Sequence, residues 1–304
     1  MAGIWHVLGA GSLGGLWAAR LFRAGVPTRI ILRSPERLAS YRDAGGLTLV
    51  EADRSCLYPV QAELPQAHDS VERLLVACKA YDAEAAVAKI APRLTRNAEI
   101  LLLQNGLGSQ QAIASRWPES RYIFISSTEG AYRQPGFRIV HAGNGQNWLG
   151  DPSPSQRPSW LTELDAAGIP NTWTDEILAK LWRKLAINCA INPLTVLHDC
   201  RNGALQAHRG QLHRLCKELA ELLRHCSPGS AEDLEADVLR IVEATANNYS
   251  SMLQDVQNRR RTEISFMSGQ ACRAAKLHGL NVTELDALHG EVRQLLRRHG
   301  LPAD

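Results

Sequence analysis

Through the first half of the chain, short apolar runs alternate with stretches whose apolar residues fall at helical spacing. The runs occupy residues 4–8, 28–32, 74–78, 100–103 and 122–126. Alternation of this kind predicts a parallel sheet wrapped by helices. Between the runs, residues 13–24 read as a helix closed by Gly25, Ser34-Pro35 as an N-cap followed by a first helical residue, and residues 82–90 as a further helix. Five such units predict a doubly wound α/β domain. Around residues 152–155 the composition turns to proline and serine, and beyond Thr174 strand signals fade. Helices are expected instead over residues 175–197, 207–224, 231–254 and 260–278, with a short one at the end. The expected division is therefore a domain over residues 1–174 and an all-helical domain over 175–304.

Composition narrows the function classes. A chain of 304 residues with 45% hydrophobic and 21% charged residues has the apolar material for two cores. Its formal net charge of +3 is small, and the basic residues are scattered, so nucleic acid is not an expected partner. The run Arg259-Arg260-Arg261 reads as a solvated helix face, with a subunit or anion contact as the other reading. Seven cysteines without CxxC or zinc-ligand spacing fit reduced thiols in the cytoplasm, and ten histidines without paired-ligand spacing give no reason to expect a metal. No signal peptide is expected, because the amino terminus runs straight into an apolar strand. The longest apolar stretch, residues 185–197, is broken by Asn188, Asn192 and Pro193 and is too short for a bilayer span.

Gly9-Ala10-Gly11-Ser12-Leu13-Gly14 follows the first strand directly and opens the first helix. In that context Gly9 allows a tight turn, Gly11 a close approach of backbone to pyrophosphate, and Gly14 close packing of helix on strand. The motif points to a Rossmann-type dinucleotide site; a glycine turn without a ligand is the bland alternative. Where an NAD site places an acidic residue after the second strand, this chain has Arg33, which fits the 2'-phosphate of NADP, with Arg37 as a helper, or else is a solvent-exposed turn arginine. Lys79 and Asn105 end strands at the carboxyl edge of the sheet, where ligands of such folds bind, or are ordinary turn residues. Farther on, Lys184, Asn188 and Asn192 recur every four residues on an otherwise apolar helix, so they share one face. Such a polar stripe faces a wet cleft or is spent on helix–helix hydrogen bonds. Pro193 should kink or end this helix. Glu263, expected within the helix of residues 260–278, reads on its own as a surface carboxylate.

Taken together, the glycine loop, Cys78-Lys79-Ala80, the segment from Leu103 to Gly108, the segment from Leu181 to Cys189 continuing through Asn192-Pro193-Leu194-Thr195, and Ser250 to Asp255 followed by Thr262-Glu263-Ile264 resemble the ketopantoate reductase family. The likeness runs from the glycine loop nearly to Gly279. It implies a Rossmann-type NADPH-binding domain before a helical substrate domain, with the cleft between them. It also implies reduction of a small 2-oxo acid, ketopantoate, to pantoate in pantothenate biosynthesis. Lys184 would be the proton donor to the ketone oxygen, and Asn188, Asn192, Asn202, Ser251 and Glu263 would hold the substrate. Lys79, Asn105, the Ala131 backbone and Glu263 would border the cofactor. One departure stands out: the chain reads Glu129-Gly130-Ala131 where the family carries His-Ala before the matching alanine. The resemblance leaves open another bulky 2-oxo acid as substrate, a decarboxylating enzyme like 6-phosphogluconate dehydrogenase, and a non-enzymatic NADP sensor.

Overall fold

The computed structural model describes residues 3–52, 54–153 and 155–304; Pro154, within the expected linker, lies outside them. Contacts between Cα atoms divide the chain into two units, Met1–Gln104 with Ser109–Ile177, and Asn105–Gly108 with Leu178–Asp304.

The first unit is α/β. In chain order it contains β1 (Trp5–Leu8), α1 (Ser12–Arg23), β2 (Thr28–Ile31), α2 (Pro35–Asp43), β3 (Leu47–Glu51), β4 (Arg54–Tyr58), β5 (Gln61–Glu63), β6 (Val71–Val76), α3 (Ala80–Ile90) and β7 (Leu94–Leu102). Then follow α4 (Ser109–Arg116), β8 (Arg121–Ser127), β9 (Gly130–Gln134), β10 (Arg138–Gly143), β11 (Asn147–Gly150), α5 (Leu161–Ala166) and β12 (Asn171–Trp173). One sheet has the order β12-β11-β8-β7-β6-β1-β2-β5. From β5 to β8 every pairing is parallel, whereas β11 runs antiparallel to β8. Strand order reverses between β1 and β6, the topological switch point at which such sheets bind ligands. The central strands read as near-continuous apolar runs because both faces are covered: Trp5, Val7, Leu74, Leu75, Ile100 and Leu101 are fully buried. All five expected strands are present. The last three are longer than their apolar runs, β7 by six polar-rich residues at its start.

A second sheet, β4-β3-β10-β9, is an addition to the expected plan. It covers α1: a Cβ at Gly15 would stand 2.7 Å from the Ile139 side chain, so only glycine admits this approach.

The second unit is helical, with α6 (Ile177–Leu197), α7 (Arg209–Cys226), α8 (Leu234–Ala244), α9 (Ser251–Gln257), α10 (Ser268–Leu277) and α11 (Thr283–Arg298), and a 3₁₀ segment Asn202–His208 before α7. Two sequence expectations need correction. The single helix over residues 231–254 is instead α8 and α9, because the carbonyls of Ala246 and Asn248 accept from Gly203 and Asn202 and Ser250 caps a new helix by accepting from the Leu253 amide. The helix expected from residue 260 begins only at Ser268: Arg259 adopts φ +52° and the Arg260 amide closes α9 onto the Asp255 carbonyl. Of the two outcomes expected at Pro193, an end of the helix is not found: α6 continues through it to Leu197, where the apolar pattern ends. Among the described residues, no helix is long and apolar enough to cross a membrane.

Candidate active site

In the first unit the glycine loop joins β1 to α1. Gly9 turns at φ +106°, and a Cβ at Gly14 would lie 2.3 Å from the Gly9 carbonyl oxygen and 2.7 Å from the Ala77 Cβ. The loop therefore packs against the end of β6 through an absence of side chains, as a backbone cradle for a pyrophosphate requires. Ala10 is buried, and Gly11 is the N-cap of α1 with no side chain to satisfy the first-turn amides of Ser12, Leu13 and Gly14.

Arg33 follows β2 and is exposed. Ser34 caps α2 by accepting from the Arg37 amide at 3.3 Å, with Pro35 at the first position as its sequence implies. The Arg37 guanidinium lies 3.8 Å over the Phe137 ring. Burial lowers its pKa, and so do the charges of Arg133, on β9, and Arg33. Arg33 and Arg133 are thus both near enough to act on the Arg37 guanidinium. Arg133 is not among the residues that the sequence patterns single out; the Pro135-Gly136 dipeptide between polar-alternating runs is the hairpin signal that locates it. Lys79 is the N-cap of α3, and Ala131 lies in β9 opposite His141.

The second unit gathers a different set. Asn105, though it follows Gln104 at the end of β7, belongs to the helical unit with the rest of Asn105–Gly108. Gly106 adopts φ +80°, and a Cβ there would fall 2.1 Å from the Phe266 carbonyl oxygen, which accepts from the Leu107 amide at 2.9 Å. This close docking brings the Asn105 Oδ1 to 2.9 Å from the Lys184 Nζ, which donates to it. Burial lowers the Lys184 pKa from an ordinary 10.5 to about 8, while the Glu263 carboxylate pulls in the opposite direction. Glu263 is buried at 3% exposure and is not in a helix; it precedes the 3₁₀ turn Ile264–Phe266, and its carbonyl accepts from the amides of Phe266 and Met267. It is thus no surface carboxylate.

The stripe on α6 is partly spent internally: Asn192 is buried and its Nδ2 lies 3.8 Å from the Met267 Sδ, while Asn188 is half-buried. Asn202, in the 3₁₀ segment, donates to Thr245 Oγ1 at 2.8 Å, yet its buried Oδ1 has no hydrogen-bond partner. Ser251 is exposed at the start of α9, whereas neighbouring Ser250 is buried against the Thr195 hydroxyl at 2.6 Å. Lys184, Asn105 and Glu263 are accordingly brought together; Asn202 and Ser251 stand on other elements. Among the described residues, no group of three His, Cys, Asp or Glu side chains is placed to hold a metal, and all seven cysteines are free.

A doubly wound sheet with a glycine cradle at its switch point, followed by a helical unit carrying a lysine of depressed pKa beside a buried carboxylate, defines an oxidoreductase of Rossmann type. The sequence model described as Ketopantoate reductase PanE/ApbA matches residues 5–154, and that of its C terminal matches residues 176–302. The chain belongs to the ketopantoate reductase family. It is 36% identical over 293 residues to a 2-dehydropantoate 2-reductase of Shigella flexneri, covering 95% of this chain and 93% of the relative. It is 34% identical to one of Vibrio cholerae, covering 95% and 96%. Among solved structures, a PanE/ApbA family ketopantoate reductase from Ralstonia eutropha superposes with a TM-score of 0.89 at 25% identity, covering 98% of this chain and 99% of that one. A D-mandelate dehydrogenase solved with NADH and anilino(oxo)acetate shares the fold, with a TM-score of 0.89 at 20% identity over 98% of this chain and all of the other.

Proposed function

We propose that the chain is an NADPH-dependent 2-dehydropantoate 2-reductase, reducing ketopantoate to pantoate in pantothenate biosynthesis in the cytoplasm, with residues 1–174 serving the cofactor and 175–304 the substrate. The observation that carries the reading is the Lys184 ammonium held by Asn105 Oδ1 with Glu263 beside it. When bound, the nicotinamide supplies a hydride to C2 of the ketone. Lys184 donates its Nζ proton to the ketone oxygen as negative charge builds there; general acid catalysis of this kind contributes roughly 10² to 10⁴ in rate. Asn105 aims that ammonium, and Glu263 both keeps it charged and accepts a hydrogen bond from the substrate hydroxyl. Asn188, Asn192, Asn202 and Ser251 orient the substrate. The residues present fit the cofactor: Gly9 to Gly14 form a loop of bare backbone in which a Cβ at Gly14 would collide with the Gly9 carbonyl and Ala77, and the family resemblance assigns Lys79, Asn105, Ala131 and Glu263 to cofactor binding. The arginine group around Arg33 supports NADPH over NADH.

Steady-state NADPH oxidation with ketopantoate and with trimethylpyruvate, which lacks the hydroxyl, tests the substrate. Loss of a charge-assisted hydrogen bond to buried Glu263 should make trimethylpyruvate poorer by roughly ten- to a hundredfold in kcat/KM, and Glu263→Ala should erase most of that preference. Equal use of both substrates by the wild type would instead favour a reductase of another bulky 2-oxo acid, and no oxidation of NADPH with any 2-oxo acid would leave a sensor.

A further inference from the structure

Glu129 lies in the turn between β8 and β9 and is a buried carboxylate of the first unit. Its Oε1 accepts from Arg20 Nη1 at 2.6 Å; its Oε2 accepts from Trp17 Nε1 at 3.1 Å and from Asn147 Nδ2 at 2.9 Å. Trp17, Arg20 and Asn147 are all buried, at 0%, 5% and 0% exposure. Trp17 and Arg20 lie one turn apart on α1, the helix that opens at the glycine loop, and Asn147 begins β11. Arg20 has a second carboxylate, Glu51 at the end of β3, at 2.7 Å, so one guanidinium joins α1, the second sheet and the turn.

The backbone of the turn is pinned on its other side. The Thr128 amide donates to the Gln146 carbonyl at 2.9 Å, and the Thr128 hydroxyl accepts from the Gln146 amide at 2.9 Å. A Cβ at Gly145 would meet Thr128 C at 2.3 Å and Glu129 N at 2.4 Å. These contacts tie the turn to the start of β11, and the Glu129 carboxylate ties it to α1 by ionic and hydrogen-bonding contacts. A buried ion pair is weak evidence of stabilisation, since replacement of the whole pair by apolar residues is often neutral. What it supplies is a fixed distance between two segments.

Strand order says what those segments serve. A dinucleotide straddles the switch point, with its adenosine toward β2, where Arg33 stands, and its nicotinamide toward β6, β7 and β8. The turn after Ser127 lies at the carboxyl end of β8, on the nicotinamide side, and leads into Ala131. We propose that Glu129 is a positioning residue for the nicotinamide end of the cofactor, setting the turn 128–131 at a fixed place relative to α1. The proposal rests on the reading of the first unit as an NADPH site.

The test compares whole cofactor with a probe of its adenosine end. For purified full-length wild type, Glu129→Ala and Glu129→Gln, the dissociation constants of NADPH and of adenosine 2',5'-bisphosphate are measured by calorimetry, with kcat and KM for NADPH and the melting temperature alongside. Displacement of reacting groups by about 1 Å can lower turnover a hundredfold, so Glu129→Ala should lose roughly ten- to a hundredfold in kcat/KM for NADPH. It should bind adenosine 2',5'-bisphosphate as the wild type does. Glu129→Gln, whose oxygen can still accept from Trp17 and Asn147 but whose amide nitrogen cannot accept from Arg20, should recover only part of the loss. A Glu129→Ala protein that melts earlier but has unchanged kinetics well below its melting temperature would overturn the proposal, as would equal weakening of both ligands. If Glu129→Ala does not fold, Glu129→Asp, which withdraws the carboxylate by one methylene while keeping its charge, carries the same comparison with the same criteria. Wild type that binds neither ligand would refute the NADPH reading itself, whereas wild type that binds both, with no selective loss in the variants, refutes only the role of Glu129.

Discussion

On the general-acid role proposed for Lys184, raising the pH through 8 should shut down turnover, because the proton to be delivered leaves the ammonium there. Burial holds this ammonium well below the ordinary lysine value, at about 8. A group with that pKa is roughly nine-tenths protonated one pH unit below it and one-tenth protonated one unit above, so kcat/KM for the 2-oxo acid should fall about tenfold per unit on the alkaline side. The sign follows from the role: an acid works while protonated, so activity is present below the pKa and lost above it. Glu263 raises the Lys184 pKa, so Glu263→Gln should move the alkaline limb toward lower pH, in addition to any loss of substrate affinity. The assay is initial-rate NADPH oxidation at saturating cofactor from about pH 6 to about pH 10, where kcat/KM reports the free enzyme's groups. Lys184→Ala should lose the limb and at least tenfold in kcat. A wild-type profile flat to about pH 10, or a loss in Lys184→Ala of less than about tenfold, would refute the general-acid assignment.

Arg33→Asp should lower the ratio of kcat/KM for NADPH over NADH, by removing one guanidinium of the Arg33, Arg37 and Arg133 group and placing a carboxylate near the phosphate; an unchanged ratio would locate the discriminator elsewhere. Gly106→Ala places a Cβ within 2.1 Å of the Phe266 carbonyl at a φ of +80°, so it should lower the melting temperature and reduce kcat by displacing Asn105 from Lys184; wild-type kcat together with a wild-type melting temperature would show that the segment docks otherwise.

Much of this was legible in the chain because local patterns carried it. The glycine loop, the buried strands and the Ser34-Pro35 cap each depend on residues adjacent in sequence, and each is found where the pattern places it. The second sheet was hidden, since β3 and β10 are partially polar and find each other only across a long separation. The break between α8 and α9 escaped notice for a related reason: Ala246 and Asn248 give up helical carbonyls to partners in the 3₁₀ segment, which periodicity does not reveal. Asn105 and Lys184 were both singled out, but their pairing depends on Gly106 and Phe266, a tertiary contact that spacing alone does not show. Glu129 could be seen as a departure from the family, yet its engagement with Trp17, Arg20 and Asn147 required coordinates.

The pairing of β3 with β10 has a consequence for how the protein is made. Thr48 lies in register with Arg138, about ninety positions later in the chain, a non-local contact of the kind that delays folding until both strands exist. Glu129 and Asn147, which complete the surroundings of Arg20, also arrive late. During synthesis from the amino terminus, helix α1 therefore emerges with Gly15 and Arg20 uncovered, and it must wait for the second sheet before its outer face is closed. A nascent chain arrested before β10 lacks the strand that packs on Gly15 and so leaves that face of α1 open.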